Sequence, residues 1–119
     1  MTTPDDLEIR AFATRADLHA WLVASHGRHA GLWVRLARAG SGRPSVTFHD
    51  LLEEGLCFGW SESTRRAGDG DAYLQRFTPR RRRGTVSERN RRLADRLGTE
   101  GRMTAAGYRA LGLPVPTDS

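Results

Sequence analysis

The sequence predicts an α+β domain with helices packed on one face of a small, mainly antiparallel sheet, in the order β-α-β-α-β-β-α-α. Three observations lead there. Runs in which apolar and polar residues alternate with period two are interleaved with runs of helical period. Threonines followed three residues later by an acid, the mark of a capped helix start, stand at Thr14, Thr47 and Thr85. The stretch "AGDGD" (67–71) is turn chemistry between two strand-like runs and predicts a hairpin.

Taken in order, "LEIRAFAT" sets Leu7, Ile9 and Ala11 against Glu8 and Arg10, the pattern of a half-buried strand. Thr14 with Asp17 then opens a helix whose Leu18, Trp21 and Leu22 share a face and which stops near Gly27. In "LWVRLARA", Leu32, Val34 and Leu36 oppose Trp33, Arg35 and Ala37, a second strand. Thr47 with Asp50, flanked by Val46 and Leu51 as a hydrophobic staple, starts a helix that turns Leu51, Leu52 and Leu56 inward. "GWSESTRR" and "AYLQRFTPR" are the hairpin strands, with Gly68 and Gly70 supplying the positive φ of the turn and Pro79 ending the pairing. Tyr73, Gln75 and Phe77 face away from Leu74, Arg76 and Thr78. Thr85 with Glu88 opens a helix striped by Val86, Leu93 and Leu97, and Thr104 opens a last short one through Leu111.

At 119 residues the chain accommodates one domain, residues 1–113, followed by a frayed tail, 114–119. A hydrophobic content of 38%, grouped at structural periods, favours a folded chain over a disordered one. The N-terminus lacks the basic and then apolar pattern of a secretory signal, and no apolar run approaches the roughly 18 residues of a membrane span. These features predict a cytoplasmic protein without membrane insertion. The single cysteine, Cys57, excludes an intramolecular disulfide. No cofactor motif is present. The formal net charge is +5 and all 19 basic residues are arginine, a pattern that codon bias also produces. Their distribution is uneven, with Arg80, Arg81, Arg82, Arg83, Arg89, Arg91, Arg92 and Arg96 crowded into one segment.

"LCFGW", a polar hairpin, "YLQRFTPRRRR", "SERN" and "GRMTAAGYRAL" together resemble the YdeI/OmpD-associated bacterial proteins, also termed bacteriocin-protection proteins. The resemblance runs from about Asp17 to Leu111. Members are implicated in resistance to antimicrobial peptides and in association with an outer-membrane porin. The resemblance, taken with the uneven arginine distribution, implies a non-enzymatic stress-protection protein that binds an anionic ligand or a protein partner. Two departures stand out: Ser61-Glu62 replaces the family's Ile-Asp, and Val86-Ser87 replaces its Trp-Ser.

The candidate ligand surface comprises Trp60, Glu62, Arg76, Arg80 and Asn90, with Arg81, Arg82, Arg83, Arg89 and Arg92 as a basic patch. Period-two spacing puts Trp60 and Glu62 on one strand face, where a carboxylate held by Arg76 or Arg80 would orient a ligand. A positive loop feeding a helix N-terminus suits phosphate, and nearby aromatics suit stacking, so a nucleic-acid-binding module on the Arg80–Arg92 segment is the alternative. A small enzyme with Glu62 as acid or base is a further one. Cys57, between Leu56 and Phe58, reads as a buried structural thiol rather than a nucleophile. His26 and His29, with His49 or His19, could be zinc ligands, but "HGRH" has no acid or cysteine at ligand spacing, so no metal is expected. Glu53 and Glu54 read as the solvated side of an amphipathic helix.

Overall fold

Hydroxyl side chains open all four helices seen among the described residues. The computed structural model describes residues 7–81 and 86–116. Its elements are β1 (Glu8–Ala11), α1 (Arg15–Ser25), β2 (Leu32–Ala37), α2 (Phe48–Phe58), β3 (Trp60–Ala67), β4 (Ala72–Pro79), α3 (Glu88–Thr99) and α4 (Ala105–Ala110). Thr14, Thr47 and Thr104 each accept a hydrogen bond from the main-chain N–H three residues on. At Thr47 the capping box is complete, because Asp50 accepts in return from the Thr47 N–H at 3.0 Å. The cap of α3 differs from the sequence expectation. Ser87 accepts from the Asn90 N–H at 3.1 Å, so the helix begins at Glu88, and Thr85 lies outside the described residues.

The strands form one mixed sheet in the order β1-β2-β4-β3. β1 runs parallel to β2, whereas β2 with β4 and β4 with β3 are antiparallel. The hairpin closes with Gly70 at φ 56°; Gly68 is not in the left-handed region, so one glycine suffices for the turn. Between Glu62 and Arg65 the register of β3 slips. The buried Gln75 compensates, its Nε2 donating to the Thr64 carbonyl at 3.2 Å while its Oε1 accepts from Arg65 at 3.4 Å.

Helices cover one face of the sheet. Leu32, Val34 and Leu36 of β2 and Phe77 of β4 meet Leu18, Leu22, Leu51, Leu56 and Leu97 in a single core. Trp60 is part of it, in edge contact with Trp21 at 5.6 Å and tilted contact with Phe77 at 5.1 Å, its Nε1 donating to the His26 carbonyl. β1 departs from its expected half-buried pattern. Ile9 is 54% exposed, because its side of the sheet carries no helix among the described residues, and Phe12, just past the strand, enters the core instead.

The C-terminal end of α2 is built for close approach. Gly59 caps it at φ 80°, and the Cys57 carbonyl accepts from the N–H and hydroxyl of Thr104, which seats α4. A Cβ on Gly59 would lie 2.8 Å from the Ala110 Cβ and 2.9 Å from the Ala106 carbonyl. Gly59→Ala is accordingly expected to lower stability by about 2 kcal/mol, from the strained φ and the clash together. The reading is a lower urea midpoint at unchanged m value; an unaltered midpoint would contradict this seating of α4.

Candidate functional site

Ten consecutive residues, Leu51 to Trp60, are buried, and two of them are glutamates. Glu53 and Glu54 are 4% and 2% exposed, which overturns the expectation of a solvated acidic face. Adjacent helix positions point about 100° apart, so both can be buried only if α2 is covered on two sides. One side is α3, from which Arg96 reaches Glu53; on the other, His19 of α1 meets Glu54 at 2.8 Å. Arg102, in the loop between α3 and α4, spans the pair. Its Nη1 lies 3.0 Å from Glu53 and its Nη2 3.0 Å from Glu54. His49, one turn before Glu53, adds a contact at 2.8 Å.

Burial alone would raise the Glu53 pKa, but the hydrogen bond and charge of Arg102, aided by His49, outweigh it and hold the carboxyl below its ordinary range. Burial likewise pulls Arg102 down, and its bonds to Glu54 and Glu53 more than reverse this. Glu53 stays ionised, and the oxygens of both acids are engaged, which suits an internal clamp and not proton donation. Cys57 sits one turn beyond Glu53 at 1% exposure. Burial, with the charge of Glu54, pushes its thiol up to about 12, so it presents no thiolate near neutral pH.

Outside this clamp lies a groove of about 570 Å³ between α2 and α3. Leu52 and Leu93 are its apolar walls, and His49, Arg89, Arg92 and Arg96 surround them. Glu88 is its acidic member, paired with Arg92 at 2.8 Å across highly exposed side chains, a contact of little energetic weight. Among the described residues Arg89 and Arg91 have no ion-pair partner. Such a groove can take an anion that also carries apolar surface.

The residues singled out from sequence are dispersed. Trp60 is 1% exposed in the core and offers no stacking surface. Glu62 is opposite Phe77 on the helix-bearing side of the sheet, whereas Arg76 is opposite Trp33 on the other side, so the two do not converge. Arg80 follows β4, its N–H donating to the Gly59 carbonyl at 2.9 Å. Burial pulls its guanidinium below the ordinary range, with Glu62 pulling the other way. Asn90 is in the first turn of α3, whose exposed side carries Arg89 and Arg92. Arg81 is exposed, and Arg82 and Arg83 lie outside the described residues. The histidines are likewise scattered: His26 donates to Leu22, His29 accepts from the Gly31 N–H, and the other two serve the clamp. No three of His, Cys, Asp and Glu gather as a metal site among the described residues.

Sequence reading missed the clamp, although "LLEEGLC" held its signal. A helix whose acids are followed by Gly, Leu and Cys and preceded by two leucines has no polar face to give to water.

Removing Arg102 takes away the guanidinium that both buried acids share and leaves Glu53 to Arg96 and His49 and Glu54 to His19. Arg102→Met is expected to destabilise by about 3 kcal/mol at neutral pH. Because the folded-state pKa of Glu53 is depressed, its stabilisation is complete above the unfolded value near 4.5 and is lost as pH falls through the lower folded value. The urea midpoint of Glu53→Gln should therefore fall less steeply than wild type below about pH 4.5; parallel acid profiles would contradict the clamp.

No helix among the described residues is long and apolar enough to cross a membrane. No curated protein and no solved structure matches the chain. The model of a domain family of unknown function, DUF8412, matches residues 10–110, a span reaching from β1 to the end of α4. By that match, over most of its length, the chain belongs to the DUF8412 family.

Proposed function

We propose that this domain is a non-enzymatic binding protein that takes an anionic ligand in the groove between α2 and α3. One observation carries the reading: leucine walls are ringed by three arginines and a histidine, with Glu88 the acid among the lining residues. An apolar contact supplies affinity and a guanidinium fork supplies orientation, so the preferred ligand joins a phosphate or carboxylate to an apolar body. The non-enzymatic part is supported by the state of the reactive groups nearby. The thiol is protonated and the buried carboxylates are engaged by arginine.

Phenyl phosphate and inorganic phosphate are suitable probes. At ten times its Kd a ligand stabilises by about 1.4 kcal/mol, a Tm rise of about 6 °C for a domain of this size. Phenyl phosphate is expected to produce such a rise at lower concentration than inorganic phosphate, and Arg89→Gln with Arg92→Gln should abolish it without altering the unliganded Tm. An identical shift in that double variant, or none with either probe, sinks the groove.

The resemblance to bacteriocin-protection proteins extends this reading to a protective role under antimicrobial-peptide stress in the cytoplasm. Such protection is indirect, since a net charge of +5 opposes capture of cationic peptides. Loss of the gene should sensitise the host to polycationic peptides. Unchanged survival would remove the protective role and leave the groove to its own test.

A further inference from the structure

The side of the sheet without helices has a composition of its own. Register places Ile9, Trp33 and Arg76 in one cross-strand row and Ala11, Arg35, Leu74 and Arg66 in the next. Arginines are interspersed with apolar residues in both rows, on strands about 5 Å apart. Trp33, Ala72 and Leu74 are buried yet lie outside the helix-side core. The Arg66 guanidinium lies over the Trp33 indole at 4.4 Å.

On the described strands the charge of this side is of one sign: Glu8 and Glu62 belong to the opposite side by register. Asp69, at the hairpin turn, lines a cleft at one end of this side with Ile9, Arg35, Arg66 and Leu74. Among the described residues neither Arg35 nor Arg76 has an ion-pair partner, although both are half-buried. The Arg76 Nε and the Trp33 Nε1, on directly paired residues, are buried donors without an acceptor. Uncompensated guanidinium groups and unmet donors on an apolar floor are unfavourable in isolation and are relieved by an acceptor-rich anion.

We propose that this sheet surface binds single-stranded nucleic acid, with Arg35 and Arg76 contacting phosphates and with the exposed Ile9 and the outer face of the Arg66 guanidinium, backed by the buried Trp33, contacting bases. A single strand matches both parts of the pattern, since it offers phosphates and unpaired base faces at once. A duplex offers its phosphates but keeps its base faces stacked. This surface is distinct from the α2–α3 groove, and the two are separable by substitution.

The test is fluorescence anisotropy of a labelled mixed-sequence 12-nucleotide DNA strand with the full chain, at about 50 and 200 mM salt. Wild type is expected to bind, with log affinity falling by about 0.7 per log unit of salt for each phosphate contacted. Arg35→Gln with Arg76→Gln should weaken binding about tenfold or more and flatten the salt slope. Ile9→Glu, at an exposed edge position that leaves the core intact, should weaken it as well. Arg89→Gln with Arg92→Gln should leave it unchanged, whatever that variant does to phenyl phosphate. Absence of binding at low salt overturns the proposal, as does retention of affinity in Ile9→Glu. Equal competition by duplex, or a preference for phosphatidylglycerol vesicles through the same arginines, overturns it in favour of a general anionic surface.

Discussion

A carboxylate buried without a counter-ion is too costly to survive, and α2 buries two in succession. Arg102 resolves this, one guanidinium reaching both acids from a loop that would otherwise have little reason to be ordered. The positions of α3 and α4 follow from that bridge. Arg96 brings α3 to Glu53, and the residues after Arg102 carry the chain straight to Thr104, whose N–H and hydroxyl meet the Cys57 carbonyl. A hydrophobic isostere could fill the same volume at comparable stability, but it would not fix which turn of α2 the loop addresses. The paired acids make that choice unique, since a shift by one residue would leave one of them unmet.

The same clamp shapes the groove beside it. Arg96 and His49 line the groove while their polar atoms are drawn towards Glu53, so Arg96 presents an oriented guanidinium and His49 an oriented imidazole at its base. Arg89 and Arg92 stand further out on α3, where solvent screens them more strongly. An anion entering the groove would meet positive charge already held in place, which lowers the entropy lost on binding.

Local chemistry made most of the fold legible. Thr14, Thr47 and Thr104 mark helix starts through bonds that span three residues, and the alternation in β2 and β4 reports a contact surface of period two. Such signals are short-ranged, and they fail where the competing signal is equally short-ranged: Thr85 and Ser87 both offer a hydroxyl, and the serine holds the cap. The site was less legible because its contacts are distant in sequence. Glu53 and Arg102 are 49 positions apart, and nothing in either neighbourhood names the other. Ile9 failed for a third reason, since alternation shows that two faces differ without showing which one the helices cover.

An arginine count of 19 with no lysine would follow from codon bias alone, yet the contacts discriminate between the two residues. Arg65 lies over Tyr73 at 4.3 Å and within 5.6 Å of Phe48, Arg38 approaches Tyr73 at 5.5 Å, and Arg66 covers Trp33. A planar guanidinium stacks on these rings and still points N–H groups outward; a compact ammonium does one or the other. The bridge from Arg102 to two carboxylates needs the same fork. Part of the positive charge is thus committed to packing and to the clamp. Part of what remains lies on the exposed side of α3 and on the helix-free side of the sheet, where no described acid pairs with Arg89, Arg35 or Arg76. Arginines retained for structure would be expected in ion pairs or stacked over rings, so the ones that do neither are where a ligand is to be sought.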